Sequence, residues 1–77
     1  MFEKFIEENL LKTEMFIKIP AIEIYQRYIN FCKFNKLVPI KKREFNKLMV
    51  MSGFNKMRGN GNKLVFAGVY FKRCRYY

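Results

Sequence analysis

The chain has 77 residues, half of them apolar, and sets sixteen Lys and Arg against six Glu for a net charge of +10. That length fits one small domain, and nine Phe and five Tyr exclude the aromatic-poor composition of disordered chains. The absence of His and Asp, a single Ser and two separated Cys exclude a catalytic triad and a His/Cys metal centre, and no apolar run approaches the roughly 20 residues of a membrane-spanning helix.

Residues 2 to about 13 predict an amphipathic helix, because Phe2, Phe5, Ile6 and Leu10 recur near helical spacing. The segment "MFIKI", residues 15–19, alternates Ile17 and Ile19 around Lys18 and predicts a brief strand. Pro20 then opens a second helix, "PAIEIYQRYINFCKFNK", at a position where its missing N–H costs nothing. This helix carries two apolar stripes, one of Ile22, Tyr25, Ile29 and Cys32, the other of Ile24, Tyr28 and Phe31. So wide an apolar face predicts a central scaffold helix that buries Tyr25 and Ile29.

Pro39 breaks the helical pattern in "LVPIKK", and Ile40 is placed to plug the core. A third helix, "KKREFNKLMVMS", sets Phe45, Leu48, Met49 and Ser52 on one stripe and Lys42, Arg43, Asn46, Lys47 and Val50 on the opposite side. Gly53 ends it. Residues 54–58 and 63–71 predict two strands, the second with Val65, Ala67, Val69 and Phe71 on one face and Leu64, Phe66 and Tyr70 on the other. Between them "GNGN" is a hairpin signal, with Gly59 and Gly61 suited to positive φ, and Gly68 inside the second strand predicts a bulge or a close backbone approach. The order predicts an α+β fold in a single domain over residues 1–77. That fold is a winged helix-turn-helix: three helices, a short strand and a C-terminal β-hairpin wing.

The charge is unevenly spread. Residues 1–32 hold four basic residues and five Glu, a net of −1, whereas residues 33–77 hold twelve basic residues and one Glu, a net of +11. Solubility needs net charge but not this asymmetry; a polyanion partner explains it. The expected partner is DNA, as duplex, fork or single strand, and not a membrane. The recognition-helix candidates are Lys41, Lys42, Arg43, Asn46 and Lys47, since Lys and Arg contact phosphates while Asn and Arg also read base edges. The wing and tail candidates are Lys56, Arg58, Asn60, Asn62, Lys63, Lys72, Arg73 and Arg75. "GNGNK" lacks the spacing of a phosphate-binding P-loop and falls between strands. No catalytic residue, cofactor or metal is expected. The rival reading is a protein-docking module that meets an acidic partner through the same basic face. Cys32 and Cys74 predict free thiols, and with no signal peptide in "MFEKFIEENLLK" they predict an intracellular, reducing compartment.

"EIYQRYINFC", then Phe45 and Leu48 in "REFNKLM", then Gly53–Phe54, Arg58, Gly59–Asn60 and "AGVYFK" give the chain a further likeness. Over about residues 14–72 it resembles the C-terminal winged-helix domain of primase-helicases from phages, plasmids and large DNA viruses, including poxviruses. Tyr25, Tyr28, Cys32, Phe45, Gly53, Arg58, Gly68, Val69 and Phe71 match that pattern. Phe31 stands where the family often has Trp, and Lys41 stands near its usual Ser or Thr helix cap. The resemblance implies a DNA-binding fragment of a larger replication protein, with ATPase and primase centres upstream. It also implies helicase subunits or other replication proteins as further partners, and a host cytoplasm or viral replication site as location.

Overall fold

The computed structural model describes residues 2–13, 17–59, 61 and 63–72. Among these the fold is mixed α+β, with three helices and short antiparallel strands in two small sheets. In chain order they are α1 (Phe2–Asn9), β1 (Leu10–Lys12), β2 (Lys18–Pro20), α2 (Ala21–Phe34), α3 (Lys42–Met51), β3 (Asn55–Arg58), β4 (Leu64–Ala67) and β5 (Val69–Phe71). One sheet has the order β2-β4-β3, and β1 pairs with β5 in the other.

The first helix is shorter than its apolar spacing predicts. Asn9 donates from Nδ2 to the Phe5 carbonyl at 3.1 Å and accepts from Arg27 Nε at 3.3 Å, although its side chain is fully buried. Asn bonds local backbone groups and is a poor helix-interior residue. The chain leaves the helix there, and Leu10, Leu11 and Lys12 pair with Phe71, Tyr70 and Val69. The end of α1 is tied to the same strand, because Lys72 donates its backbone N–H to Asn9 O and its Nζ to Glu7 O, at 2.8 and 2.7 Å. Arg27 completes this corner by donating to Lys72 O and lying 4.4 Å over the Phe71 ring.

The expected second strand is in fact two. Gly68 adopts φ +70°, in the left-handed region that favours glycine. Its N–H bonds Ile17 O and its carbonyl accepts from Thr13, while an added Cβ would stand 3.2 Å from Thr13 O. The chain thus passes from the sheet of β2 to the strand β1 at one residue. Alternation breaks there too: Val65, Phe66 and Ala67 are all buried in sequence.

The core is aromatic. Phe45, fully buried on α3, has ring contacts with Phe2, Phe5, Tyr25 and Tyr28 at centroid distances of 4.8–5.9 Å. Phe5 also meets Tyr28 and Phe31 edge-on. The stripe of Ile24, Tyr28 and Phe31, joined by Cys32, is the buried face of α2. Tyr25 and Ile29, expected to be buried, are only half-buried, and Ile22 is exposed. The reason is that α1 and the sheet cover one side of α2, not both. Cys32 is a free, buried thiol; Cys74 lies outside the described residues.

Removing the Phe45 ring leaves a cavity at the meeting point of all three helices. Phe45→Ala is expected to cost about 3–5 kcal/mol, a large part of a small domain's stability. Val38→Ala, at a residue 91% exposed, is expected to change stability by less than about 0.5 kcal/mol. Urea denaturation of both variants checks the contrast.

Candidate nucleic-acid interface

The position of α3 is set before its first residue. Tyr25 on α2 donates its hydroxyl to Ile40 O at 2.8 Å, and the Tyr28 hydroxyl accepts from Ile40 N–H at 3.2 Å. Both polar groups of one connector residue are thereby fixed to the scaffold helix. Burial pushes the Tyr28 phenol above its ordinary pKa, so it stays protonated at neutral pH. Lys41 follows in extended conformation as the N-cap residue, with no side-chain cap bond, and its carbonyl accepts the Phe45 N–H at 2.9 Å. Lys41, expected as part of the recognition helix, therefore precedes α3 and is not helical itself.

The other end of α3 is closed by a Schellman motif. Gly53 at φ +93° donates to Val50 O, and Phe54 donates to Met49 O. Lys12 Nζ adds a bond to Ser52 O at 3.0 Å and sits 5.1 Å from the Phe54 ring centre. A cation at the negative end of a helix is favourable. At the start of α3, Lys41, Lys42 and Arg43 stand at the positive end, offset in part by Glu44 in the same turn.

With Phe45 and Met49 buried, the opposite face of α3 is turned outward. Lys42, Arg43 and Lys47 are exposed and Asn46 is half-buried. This face borders the hairpin β3–β4, whose register sets Lys56 opposite Phe66 and Arg58 opposite Leu64. Two hollows lie between helix and hairpin. One of about 680 Å³ has Lys42, Asn46, Lys63 and Leu64 in its walls, together with Pro20–Glu23 at the start of α2. The other, of about 400 Å³, is walled by Arg43, Asn46, Lys47, Val50, Met51, Lys56 and Leu64. They share Asn46 and Leu64, and together form a groove with five cationic side chains. Among the described residues Glu23 is the one carboxylate lining it, at the α2 end. Among the described residues no aromatic ring lines either hollow.

Asn46 is the unexpected part of this groove. Its Oδ1 is enclosed and has no hydrogen-bond partner among the described residues. An unsatisfied buried acceptor costs about 1–3 kcal/mol. Sequence placed Asn46 on this face, but nothing in the sequence marks one amide oxygen as unpartnered.

At the hairpin tip, Gly59 donates to Lys63 O at 2.7 Å and closes the loop. Gly61 has the expected positive φ, +71°, but Gly59 does not; a Cβ there would instead press on Val65 Cγ1 at 3.1 Å. Arg58 is exposed at the base of the loop but lines neither hollow. Lys72 also lines neither and spends its Nζ on the end of α1. Asn60, Asn62, Arg73 and Arg75 lie outside the described residues. Of the sequence candidates, the structure brings together Lys42, Arg43, Asn46, Lys47, Lys56 and Lys63. Tyr25 and Tyr28, matched to the family pattern on sequence, prove to be the residues that hold the connector. No protein-family model matches the chain, and no curated protein sequence matches it either. Among the described residues no group of His, Cys, Asp and Glu is arranged to hold a metal ion, and no helix is long and apolar enough to cross a membrane.

Replacing both tyrosines by Phe removes two hydroxyls and leaves the rings. Each lost bond is expected to cost about 1 kcal/mol, and amide exchange at residues 41–45 should quicken more than in α2. Hydrogen-exchange NMR on the Tyr25→Phe, Tyr28→Phe double variant measures this.

Proposed function

We propose that the chain is a winged helix-turn-helix module that binds DNA, with α3 as recognition helix and the β3–β4 hairpin as wing. One observation carries this reading: cations from α3 and from the hairpin, distant in sequence, wall a single groove. Three features support it. The element order and the sheet order β2-β4-β3 suit a helix-turn-helix backed by a hairpin. Three cations at the start of α3, offset in part by Glu44 in the same turn, work against the helix dipole, a cost that an incoming phosphate relieves. The groove is open at the surface and lined by donors, as phosphate contacts require. Under the resemblance to primase-helicase C-terminal domains, the module would deliver a larger replication protein to its DNA, and helicase subunits would be its neighbours.

Binding works here by counterion release. Each Lys or Arg that neutralises a phosphate frees a condensed cation from the DNA, so affinity falls with salt. Phosphate contacts fix register and orientation, and α3 is of a size to enter a major groove about 12 Å wide. The chain itself is proposed to bind, not to catalyse.

If the five lining cations each meet one phosphate, log K against log salt on duplex DNA should have a slope of about −4.5. Lys42→Ala, Arg43→Ala and Lys47→Ala together should make that slope shallower by about 2.7, without unfolding the chain. Fluorescence anisotropy at several salt concentrations, with circular dichroism of the variant, reads both quantities. Tight binding with a flat salt dependence would point instead to an acidic protein partner.

A further inference from the structure

The four lysines and Arg43 that line the groove offer donors only, and a row of donors holds a phosphate backbone without reading sequence. Among the described residues, two lining side chains supply acceptors, Glu23 and Asn46. Glu23 is exposed and stands at the α2 end, where its charge repels a polyanion. Asn46 is different. It belongs to both hollows, lies one turn beyond Lys42 on the outward face of α3, and holds Oδ1 enclosed with no partner among the described residues. A Leu at this place would fill similar space with no orphaned acceptor. A carboxamide kept there at a cost to the free domain is explained by a ligand that uses it.

We propose that Asn46 is the residue that reads sequence in this interface, taking the edge of one adenine in the major groove of duplex DNA while the surrounding cations hold the backbone. The assignment rests on the DNA-binding reading of the groove. A carboxamide offers one acceptor and one donor side by side, and adenine presents the matching N6–H donor and N7 acceptor there. The torsion that carries the amide is soft, and Oδ1 breaks no hydrogen bond in turning toward the groove. Guanine offers two acceptors at that edge, so it would leave Oδ1 unpartnered still. Val50 and Met51, exposed along the same wall, give the neighbouring thymine methyl an apolar surface.

The test uses the whole chain, wild type beside Asn46→Leu and Asn46→Ala, bound to a pool of duplexes with a randomised central segment and then sequenced. Wild type should enrich adenine at one position. Exchanging that A·T pair should weaken wild-type binding roughly 10- to 100-fold. Asn46→Leu should bind the preferred duplex no better than the others, and its melting temperature should rise by roughly 4 °C or more as the orphaned acceptor goes. Asn46→Ala should lose the same preference. If either variant folds and keeps the wild-type preference, or if wild type binds every duplex alike with a steep salt slope, Asn46 is not the reader and the groove reading survives. Failure of wild type to bind the pool even at low salt overturns the groove reading and the assignment with it.

Discussion

The ring of Phe45 is the contact on which this fold turns. It is fully buried at the start of α3 and touches aromatic rings from both other helices, Phe2 and Phe5 of α1 and Tyr25 and Tyr28 of α2. Three of these contacts, with Phe2, Phe5 and Tyr25, are edge-to-face, which gives direction as well as burial because ring quadrupoles disfavour face-to-face stacking. Once Phe45 points inward, helical geometry sends Lys42, Arg43, Asn46 and Lys47 the other way. The two tyrosines that pack on it also bind the connector at Ile40, so the rotation of α3 and its starting point are fixed by the same side chains. The hairpin is anchored independently: β4 lies between β3 and β2, and β2 leads directly into α2. Helix face and hairpin meet because both are referred to one scaffold helix.

Small domains have little stability to spare, since they bury only about 60% of their unfolded surface. This one spends some of it in one region. Lys41, Lys42 and Arg43 stand at the positive end of α3, that helix has no side-chain cap, and Asn46 holds an unpartnered oxygen. Elsewhere the polar groups are well served: Asn9 and Arg27 satisfy each other and the end of β5, and Lys12 closes the far end of α3. A further local compromise lies elsewhere, at Lys36, a non-glycine residue at φ +57° just after α2; those gathered on the α3 face are what the proposed binding surface would require. An anion arriving at the groove relieves the charge crowding at the helix start.

Much of this was legible in the sequence, for particular reasons. The apolar stripe of Phe45 and Met49 against a basic face gave α3 its orientation, since a helix that short has only one way to bury two large residues. "GNGN" located the hairpin loop, and Gly68 marked the place where the strand changes sheets. The early end of α1 was not legible: the spacing of Phe2, Phe5, Ile6 and Leu10 suits a longer helix, and only the distant strand at Val69–Phe71 claims Leu10 for a sheet. The buried face of α2 is not legible either, because two apolar stripes compete in sequence, and which one is covered depends on tertiary neighbours. The groove itself was half legible. Its cations could be named, but Lys72 is drawn off to α1, and the unpartnered state of Asn46 is a property of packing.

Titrating isotopically labelled protein with a short duplex, and following backbone amide shifts by NMR, locates the DNA relative to the proposed groove between α3 and the β3–β4 hairpin. If DNA lies in that groove, the largest changes fall at residues 42–50, 56 and 63, with the outer face of α2 around Gln26 and Asn30 left unmoved. Changes concentrated on that α2 face, with residues 42–50 silent, would contradict it.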